Sequence, residues 1–370
     1  MSRREGALEL APALPGSYYR DPAILEAELE AIFYRSWLYA CREDRLPAPG
    51  DFLTLEIGRE SILVVRGRDE RLRAFYNVCR HRGSRLCGAA EGRLAGTVQC
   101  PYHAWTYGLD GALIGAPNLK EAQGFSKEQF GLYPVGLETW RGCVFINLEG
   151  GETPLAQQLG DIPERTVRYP LARLKVAHRT AHEVEANWKI LVENYHECYH
   201  CPGVHPELCD IVPLYRRGVV DVSGGEVKAT FRDGATTFTR GGVTRRPLFQ
   251  GLSDEETRLY NGEMILPSVW INFLPDFVQI RSLWPLGPTR TRLVAEWLFE
   301  PETMARPDFD PRDAIEFTQL IADQDWKVCE AAQQGIVSRA HQRGVLVPEE
   351  VSLAEFDRWV LDRLEKRPSA

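Results

Sequence analysis

The sequence predicts an α+β protein of two unlike domains: an all-β domain carrying two cysteine-and-histidine loops, then a domain in which a curved antiparallel sheet wraps a long helix. Three observations carry this. Short apolar-alternating runs bounded by glycine fill much of 46–150, three longer alternating runs lie between Met264 and Phe299, and a helical segment follows from about Pro311 to Gly335. The length of 370 residues also favours more than one core, because single cores seldom grow beyond roughly 250–300 residues. The expected division is a helical N-terminal segment at 1–45 packing on the second domain, the all-β domain at 46–150, and the sheet-and-helix domain at 151–370.

Composition narrows the class of protein. With 44% hydrophobic and 26% charged residues the chain reads as an ordinary globular protein. A net charge of −8 argues against nucleic acid as a partner, since phosphate binding needs a concentrated basic face. No apolar run approaches about 18 residues, and the opening MSRREGALEL lacks the apolar core of a secretory signal, so a cytoplasmic protein without membrane contact is expected. Nine cysteines, irregularly spread, fit reduced thiols and metal ligands better than a disulfide framework. No Gly-rich dinucleotide fingerprint follows a strand, so any NAD(P)H or flavin chemistry would belong to a separate protein.

In chain order, Asp21 and Pro22 open a helix whose Ile24, Leu25, Leu29, Ile32 and Phe33 recur at helical spacing. Strands are expected at Phe52–Ile57, Ser61–Arg66, Leu72–Val78, Leu94–Gln99, Ala104–Tyr107 and Trp140–Leu148. Between them lie Cys79 with His81 and Cys100 with His103, a metal site written in two halves. Two cysteines and two histidines hold either a tetrahedral zinc or a [2Fe-2S] cluster with two imidazoles on one iron. Zinc modules are small and take much of their folding energy from the metal, whereas these pairs sit within a run of strands in a long chain. Arg80, Arg82 and Arg85 flank the first pair, either as a docking face for an acidic electron donor or as salt-bridge partners within the domain, and Cys87 reads as a small buried hydrophobe.

In the second domain, Pro154–Tyr169 reads as helical, Leu174–Glu185 as a strand and Asn187–Tyr199 as a helix. On that helix Glu193, Glu197 and His200 share one face. Pro202, Gly203 and Pro206 then break it and leave His205 just beyond. Two imidazoles completed by a carboxylate form the facial triad of a non-haem Fe(II) site, and Asp323 and Asp325 in IADQDWKVCEAAQQGI are the available carboxylates. His178, His182 and His341 read as surface or core histidines, and His196 points off the ligand face. The strands Met264–Phe273, Phe277–Pro285 and Thr291–Phe299 supply a pocket in which Trp270, Phe273, Phe277 and Trp284 offer aromatic faces, and Asn272 or Arg281 a partner for a substrate carboxylate.

The stretches NVCRHRGSRL and CPYHAWTYGLDGAL, with Tyr102 and Trp105 beside the second pair, resemble the Rieske iron-sulfur domain, although the 18 residues from Arg82 to Gln99 make a slightly long spacer. NWKILVENYHECYHCPGVHP and GSYYRDPAILEAELEAIFYRSWLYACRED resemble the α subunits of Rieske non-haem iron oxygenases, and the likeness runs from about Tyr18 to Gly335. It implies a helix-grip catalytic domain, a [2Fe-2S] cluster on Cys79, His81, Cys100 and His103, and a mononuclear iron on His200, His205 and, by the family's spacing to Glu330 and a Gln-x-Gly, Asp325 rather than Asp323. It further implies a homotrimer fed by a separate flavin/iron-sulfur reductase. There Glu197 would bridge an iron-ligand histidine and His103 of the partner subunit. Glutamate in an E-C-Y-H-C context is similar to the branch acting on quaternary ammonium compounds, which implies O2-dependent monooxygenation or N-demethylation of a glycine betaine, stachydrine, carnitine or choline type of substrate. The alternatives are an aromatic-ring hydroxylase or O-demethylase of the same family, and, from another class, a non-catalytic electron-transfer or zinc-stabilised binding protein.

Overall fold

The computed structural model describes residues 10–119, 123–151, 153–223 and 226–366. They form two units, Phe33–Gly160 and a second made of Asp161–Ala370 together with Met1–Ile32. The first begins at Phe33 rather than near residue 46 because the strand Leu38–Arg42 pairs with Cys143–Asn147 and completes its sheet.

In Phe33–Gly160, seven antiparallel strands run in the spatial order Leu38–Arg42, Cys143–Asn147, Pro134–Trp140, Leu72–Tyr76, Glu60–Arg66, Asp51–Ile57 and Glu91–Arg93. A separate three-stranded sheet, Thr97–Gln99, Thr106–Gly108 and Leu113–Gly115, carries the second cysteine-histidine loop. The run expected at Trp140–Leu148 is the second arm of a hairpin whose two turn residues, Arg141 and Gly142, both have positive φ (46° and 77°), the backbone twist that two-residue hairpins need. The run expected at Leu94–Gln99 is broken at Gly96, where φ is +96° and a Cβ would strike the Arg68 guanidinium. Leu63, Val65, Phe75, Val98, Trp105 and Tyr107 form the core beneath both loops.

The second unit contains a seven-stranded antiparallel sheet in the order Lys175–Val184, Arg290–Phe299, Val278–Gly287, Val269–Phe273, Leu259–Ile265, Glu226–Thr230 and Asp221–Ser223. The single strand expected over Met264–Phe273 is instead parts of two strands joined at Leu266–Ser268, because Pro267 has no N–H to give a ladder. The long helix, Arg312–Ile336, lies against this sheet: Ala314 and Phe317 pack with Phe277, Trp297 and Phe299, and Trp297 Nε1 donates to Thr318 Oγ1 at 2.9 Å. Among the described residues no helix is long and apolar enough to cross a membrane.

The N-terminal helix, Pro22–Glu28, starts as expected, with Asp21 Oδ1 accepting from Ala23 N at 2.9 Å, and passes into a wider turn at Leu29–Phe33. Its Glu28 was not foreseen as a core residue. It is fully buried, accepting from Lys189 Nζ at 2.6 Å and Trp188 Nε1 at 2.7 Å.

Candidate active site

The first metal loop leaves the strand Leu72–Tyr76 and folds back through Cys79 N to Ser84 O (2.8 Å) and Gly83 N to Cys79 O (3.0 Å). The second is closed by Cys100 N to Trp105 O (2.8 Å) and Ala104 N to Cys100 O (3.1 Å). Both sulfurs are buried and both imidazoles exposed, with the His81 and His103 ring centroids 4.8 Å apart. His81 stacks on Trp105 at 4.9 Å, so an aromatic wall sets its plane. Tyr107 accepts from Arg80 N at 3.0 Å, which leaves its hydroxyl hydrogen for Cys79 Sγ at 3.3 Å. Burial raises the Cys100 pKa, but the N–H groups of Tyr102 and His103 aimed at its sulfur outweigh this and lower it. The four donors thus separate into a sulfur end and an imidazole end. A single ion needs all donors in one shell, and among the described residues only His200, His205 and Asp325 supply three donor atoms within 4.8 Å of one another. The quartet therefore fits a two-iron cluster better than one zinc.

Of the flanking arginines, Arg85 pairs with Glu56 at 2.8 Å, and Arg80 donates to Gly131 O and lies 3.9 Å over the Tyr133 ring. Arg82 reaches only Tyr102 among the described residues. Cys87 is buried, and burial raises its pKa, as suits a small hydrophobe.

In the second unit the helix capped by Asn187 ends at Tyr195, four residues sooner than expected, so Glu197 and His200 do not ride on it. The cause lies in Glu197, whose carboxylate accepts the backbone N–H groups of Tyr199 and His200 and starts a new turn in place of continuing the helix. His200 then precedes the short helix Cys201–Val204, and His205 sits between it and Pro206–Ile211. Asp325 enters from the long helix, on the same face as Thr318, Ala322 and Cys329, so the spacing that buries that stripe also aims the carboxylate inward. Asp323 is exposed and accepts from Gln319 at 2.7 Å.

Three donor atoms converge: His205 Nε2 lies 2.7 Å from Asp325 Oδ1, and His200 Nε2 lies 3.3 Å from the same oxygen and 3.2 Å from His205 Nε2. The outer nitrogens are both engaged, His200 Nδ1 by Glu197 Oε1 and His205 Nδ1 by Gln324 Oε1 at 2.8 Å, so each ring is held with Nε2 facing the site. Gln324 in turn donates to Glu207 Oε2 at 3.1 Å. Burial works against the charge on Asp325, yet the two histidines bring its pKa down to about 2. Burial likewise opposes charge on His200, while Asp325 and Glu197 raise it to about 9. Two imidazoles and one carboxylate on one side of an ion are the donor set of a mononuclear non-haem iron site.

The triad opens on a cavity of about 110 Å³. Tyr195, Tyr215, Phe238, Tyr260 and Phe317 give it aromatic walls, and Asn272, Gln279, Arg281 and Thr318 a polar floor. Of the pocket residues expected from sequence, Asn272 and Arg281 line this cavity. Trp270 stacks behind Tyr195 at 4.8 Å, and Trp284, odd in register from Arg281, turns its indole to Ser282 on the other side of the strand. Phe273 and Phe277 are wholly buried core residues. The cavity's own aromatics come from five separate segments: the helix capped by Asn187 gives Tyr195, the turn Pro213–Arg217 Tyr215, the irregular segment beyond it Phe238, the strand Leu259–Ile265 Tyr260 and the long helix Phe317, so no single period in the sequence marks them.

His196 is buried against Phe356, and burial lowers its pKa to about 4. His182 lies beside Trp326 and His178 beside Trp297. One cysteine pair departs from the all-thiol expectation. Cys198 and Cys201, on either side of His200, are joined as a disulfide, while the other seven cysteines are free.

Known proteins extend these observations. Residues 36–132 match the Rieske [2Fe-2S] domain and residues 171–366 the ring-hydroxylating α subunit catalytic domain. The glycine betaine monooxygenase oxygenase subunit of Pseudomonas aeruginosa is 32% identical over 95% of this chain and 89% of its own. The carnitine monooxygenase oxygenase subunit of Escherichia coli is 40% identical over 89% and 85%. A solved quaternary ammonium Rieske monooxygenase, described for carnitine oxidation and inter-subunit electron transfer, superimposes with a TM-score of 0.79 at 29% identity, covering 96% of each chain. Both domains that define the family are matched in this one chain, the first within the unit that carries the cysteine-histidine loops and the second within the unit that carries His200, His205 and Asp325. The chain belongs to the Rieske non-haem iron oxygenases, as an oxygenase α subunit of that oxidoreductase family.

Proposed function

We propose that this chain is the terminal oxygenase that inserts one atom of O2 into a C–H bond beside the nitrogen of a quaternary ammonium substrate. The observation that carries the proposal is the cavity at the triad. Its walls are aromatic, and its only acidic lining residues among those described are Asp325 and Glu197, both engaged with histidines. A trimethylammonium group is held by ring faces through cation–π attraction of about 2 kcal/mol when desolvated, with no carboxylate cage to capture free cations. The relatives' substrates, glycine betaine and carnitine, support the same reading.

When bound, the cluster supplies single electrons and the mononuclear iron supplies dioxygen activation. Cys79, His81, Cys100 and His103 would hold the first, and His200, His205 and Asp325 the second. Glu197 and Gln324 orient the two imidazoles, and the aromatic walls exclude water from the carbon to be oxidised. For an N-methyl group the balance is substrate, O2, two electrons and two protons giving the N-hydroxymethyl compound and water. That adduct loses a proton and collapses to formaldehyde and the tertiary amine.

In this reading Glu197 also faces His103 of the partner subunit in a cytoplasmic homotrimer, and a separate flavin/iron-sulfur reductase delivers the electrons. Such a carboxylate orients and tunes the histidine it touches. The test is turnover with a reductase of this class and NAD(P)H on glycine betaine, stachydrine, carnitine and choline, following O2 uptake, formaldehyde and the amine product by mass spectrometry. Asp325→Asn should abolish product while Asp323→Asn retains it. Ring hydroxylation of an aromatic compound with no turnover of any quaternary amine would overturn the proposal.

A further inference from the structure

Arg281 lies on the strand Val278–Gly287 and projects into the floor of the cavity that holds the triad. Its guanidinium is secured along one edge only: Nε donates to Gln279 Oε1 at 3.0 Å and Nη2 to the Thr318 carbonyl at 2.9 Å. Of five N–H groups, two are engaged by the protein, and the three others have no acceptor among the described residues. Among the described residues no carboxylate lies within ion-pair distance of it. Burial lowers its pKa, so the site sustains a cation without supplying the anion that would compensate it. The acid that acts on it most, Asp325, is a metal ligand in the reading above and is not free to neutralise it.

The remaining floor is locked around this group. Gln279 Oε1 also accepts from Asn272 Nδ2 at 3.0 Å, and Gln279 Nε2 donates to Thr318 Oγ1 at 3.3 Å. Asn272 Oδ1 takes hydrogen bonds from Tyr195 and Tyr260 at 2.6 and 2.8 Å. Neither Asn272 nor Gln279 can swing over to satisfy the open edge of Arg281 without breaking two bonds. A planar guanidinium fixed on one edge and open on the other is the geometry that binds a carboxylate through two parallel hydrogen bonds.

We propose that Arg281 is the anion subsite of this cavity and takes the carboxylate of the substrate, so that the enzyme selects carboxylated quaternary amines over their alcohol counterparts. This rests on the function proposed above and narrows it: aromatic walls hold the ammonium end, Arg281 the acid end, and choline, which has no anion, leaves the guanidinium unpaired.

The experiment is calorimetric binding, under anaerobic conditions, of glycine betaine, γ-butyrobetaine and choline to the metal-loaded holoenzyme and to its Arg281→Met and Arg281→Lys forms. Each variant is first checked for wild-type iron content and cluster absorbance. Wild type should bind the better carboxylate roughly 10- to 100-fold more tightly than choline, as a charged hydrogen-bonded pair predicts. In Arg281→Met that ratio should collapse to within about threefold. In Arg281→Lys, which keeps the charge but not the fork and serves if the Met form does not fold, it should fall to an intermediate value. An unchanged ratio in either variant, equal weakening of all three ligands, or a wild type that prefers choline overturns the assignment while leaving quaternary amine oxidation standing. A wild type that binds and oxidises none of the three overturns the functional reading itself, and the subsite with it.

Discussion

Replacing Gln324 by leucine tests whether the iron site depends on the residue behind its ligand. His205 is 1% exposed, and its Nδ1–H is directed at Gln324 Oε1 at 2.8 Å, which fixes the tautomer that presents Nε2 to the metal. Leucine has nearly the same volume and keeps the packing but removes the acceptor, leaving a buried N–H unpaired. Losing an outer partner of a metal histidine weakens metal binding by about 10- to 100-fold, or about 1.4–2.8 kcal/mol. The assay is anaerobic Fe(II) titration, against a competing chelator, of protein stripped at the mononuclear site. The visible absorbance of the cluster serves as an internal reference for folding. Gln324→Leu should show the weakened Kd with an unaltered cluster spectrum, and Gln324→Glu combined with Glu207→Gln, which restores an acceptor for His205 and keeps a donor toward position 324, should recover it. A leucine variant with an iron Kd within about threefold of wild type would refute the argument that this hydrogen bond organises the site.

Two further expectations concern the frame around the site. Lys189→Met leaves Glu28 buried and unpaired, and should lower stability by about 3–5 kcal/mol in denaturant titration, whereas Glu28→Gln combined with Lys189→Met should recover most of the loss. Asp357 is raised to about 6, chiefly by burial, beside Glu193, whose burial and proximity to Asp357 raise it as well. A folded-state pKa above the unfolded value means stability that is full below about pH 4 and lost as pH rises through 6, by up to about 3 kcal/mol. Asp357→Asn, which keeps an acceptor for Leu14 N, should therefore raise the melting temperature at pH 8 more than at pH 5, and an equal effect at both would refute it.

What the sequence made legible and what it hid divide along physical lines. Cys79 with His81 and Cys100 with His103 are close in the chain and of few residue types, so their spacing marks a candidate metal site, whereas His200 with His205 gains weight only beside that upstream motif. Asp325 is preferred over Asp323 in the sequence only through the family's spacing to Glu330; the physical counterpart is structural, with Asp325 on the helix face of Thr318 and Ala322 and Asp323 exposed. The end of the helix at Tyr195 escaped notice because Glu197, a good helix former by propensity, uses its carboxylate to cap the next turn. Trp270 and Trp284 miss the cavity for different reasons: Trp270 shares a sheet face with Asn272 and stands opposite Arg281 but is covered by the Tyr195 ring, whereas Trp284, three residues beyond Arg281, faces the other side of the sheet. Glu28 and Lys189 stand 161 residues apart, and a buried ion pair leaves no periodic trace.

The long helix has a consequence for how such a protein can change over time. Along one face, Thr318 anchors the sheet and Arg281, Asp325 meets His200 and His205, and Gln333 accepts Asn187 N at 2.8 Å and donates to Tyr19 O at 3.1 Å. Adding or removing one residue between Thr318 and Gln333 would turn everything beyond it by about 100° and shift it by about 1.5 Å. No neighbour could follow such a rotation. Lineages carrying this helix are free to exchange side chains along it but not to alter its length, so divergence in substrate is confined to substitution within the floor and to the irregular segments that bring Tyr215 and Phe238 to the cavity.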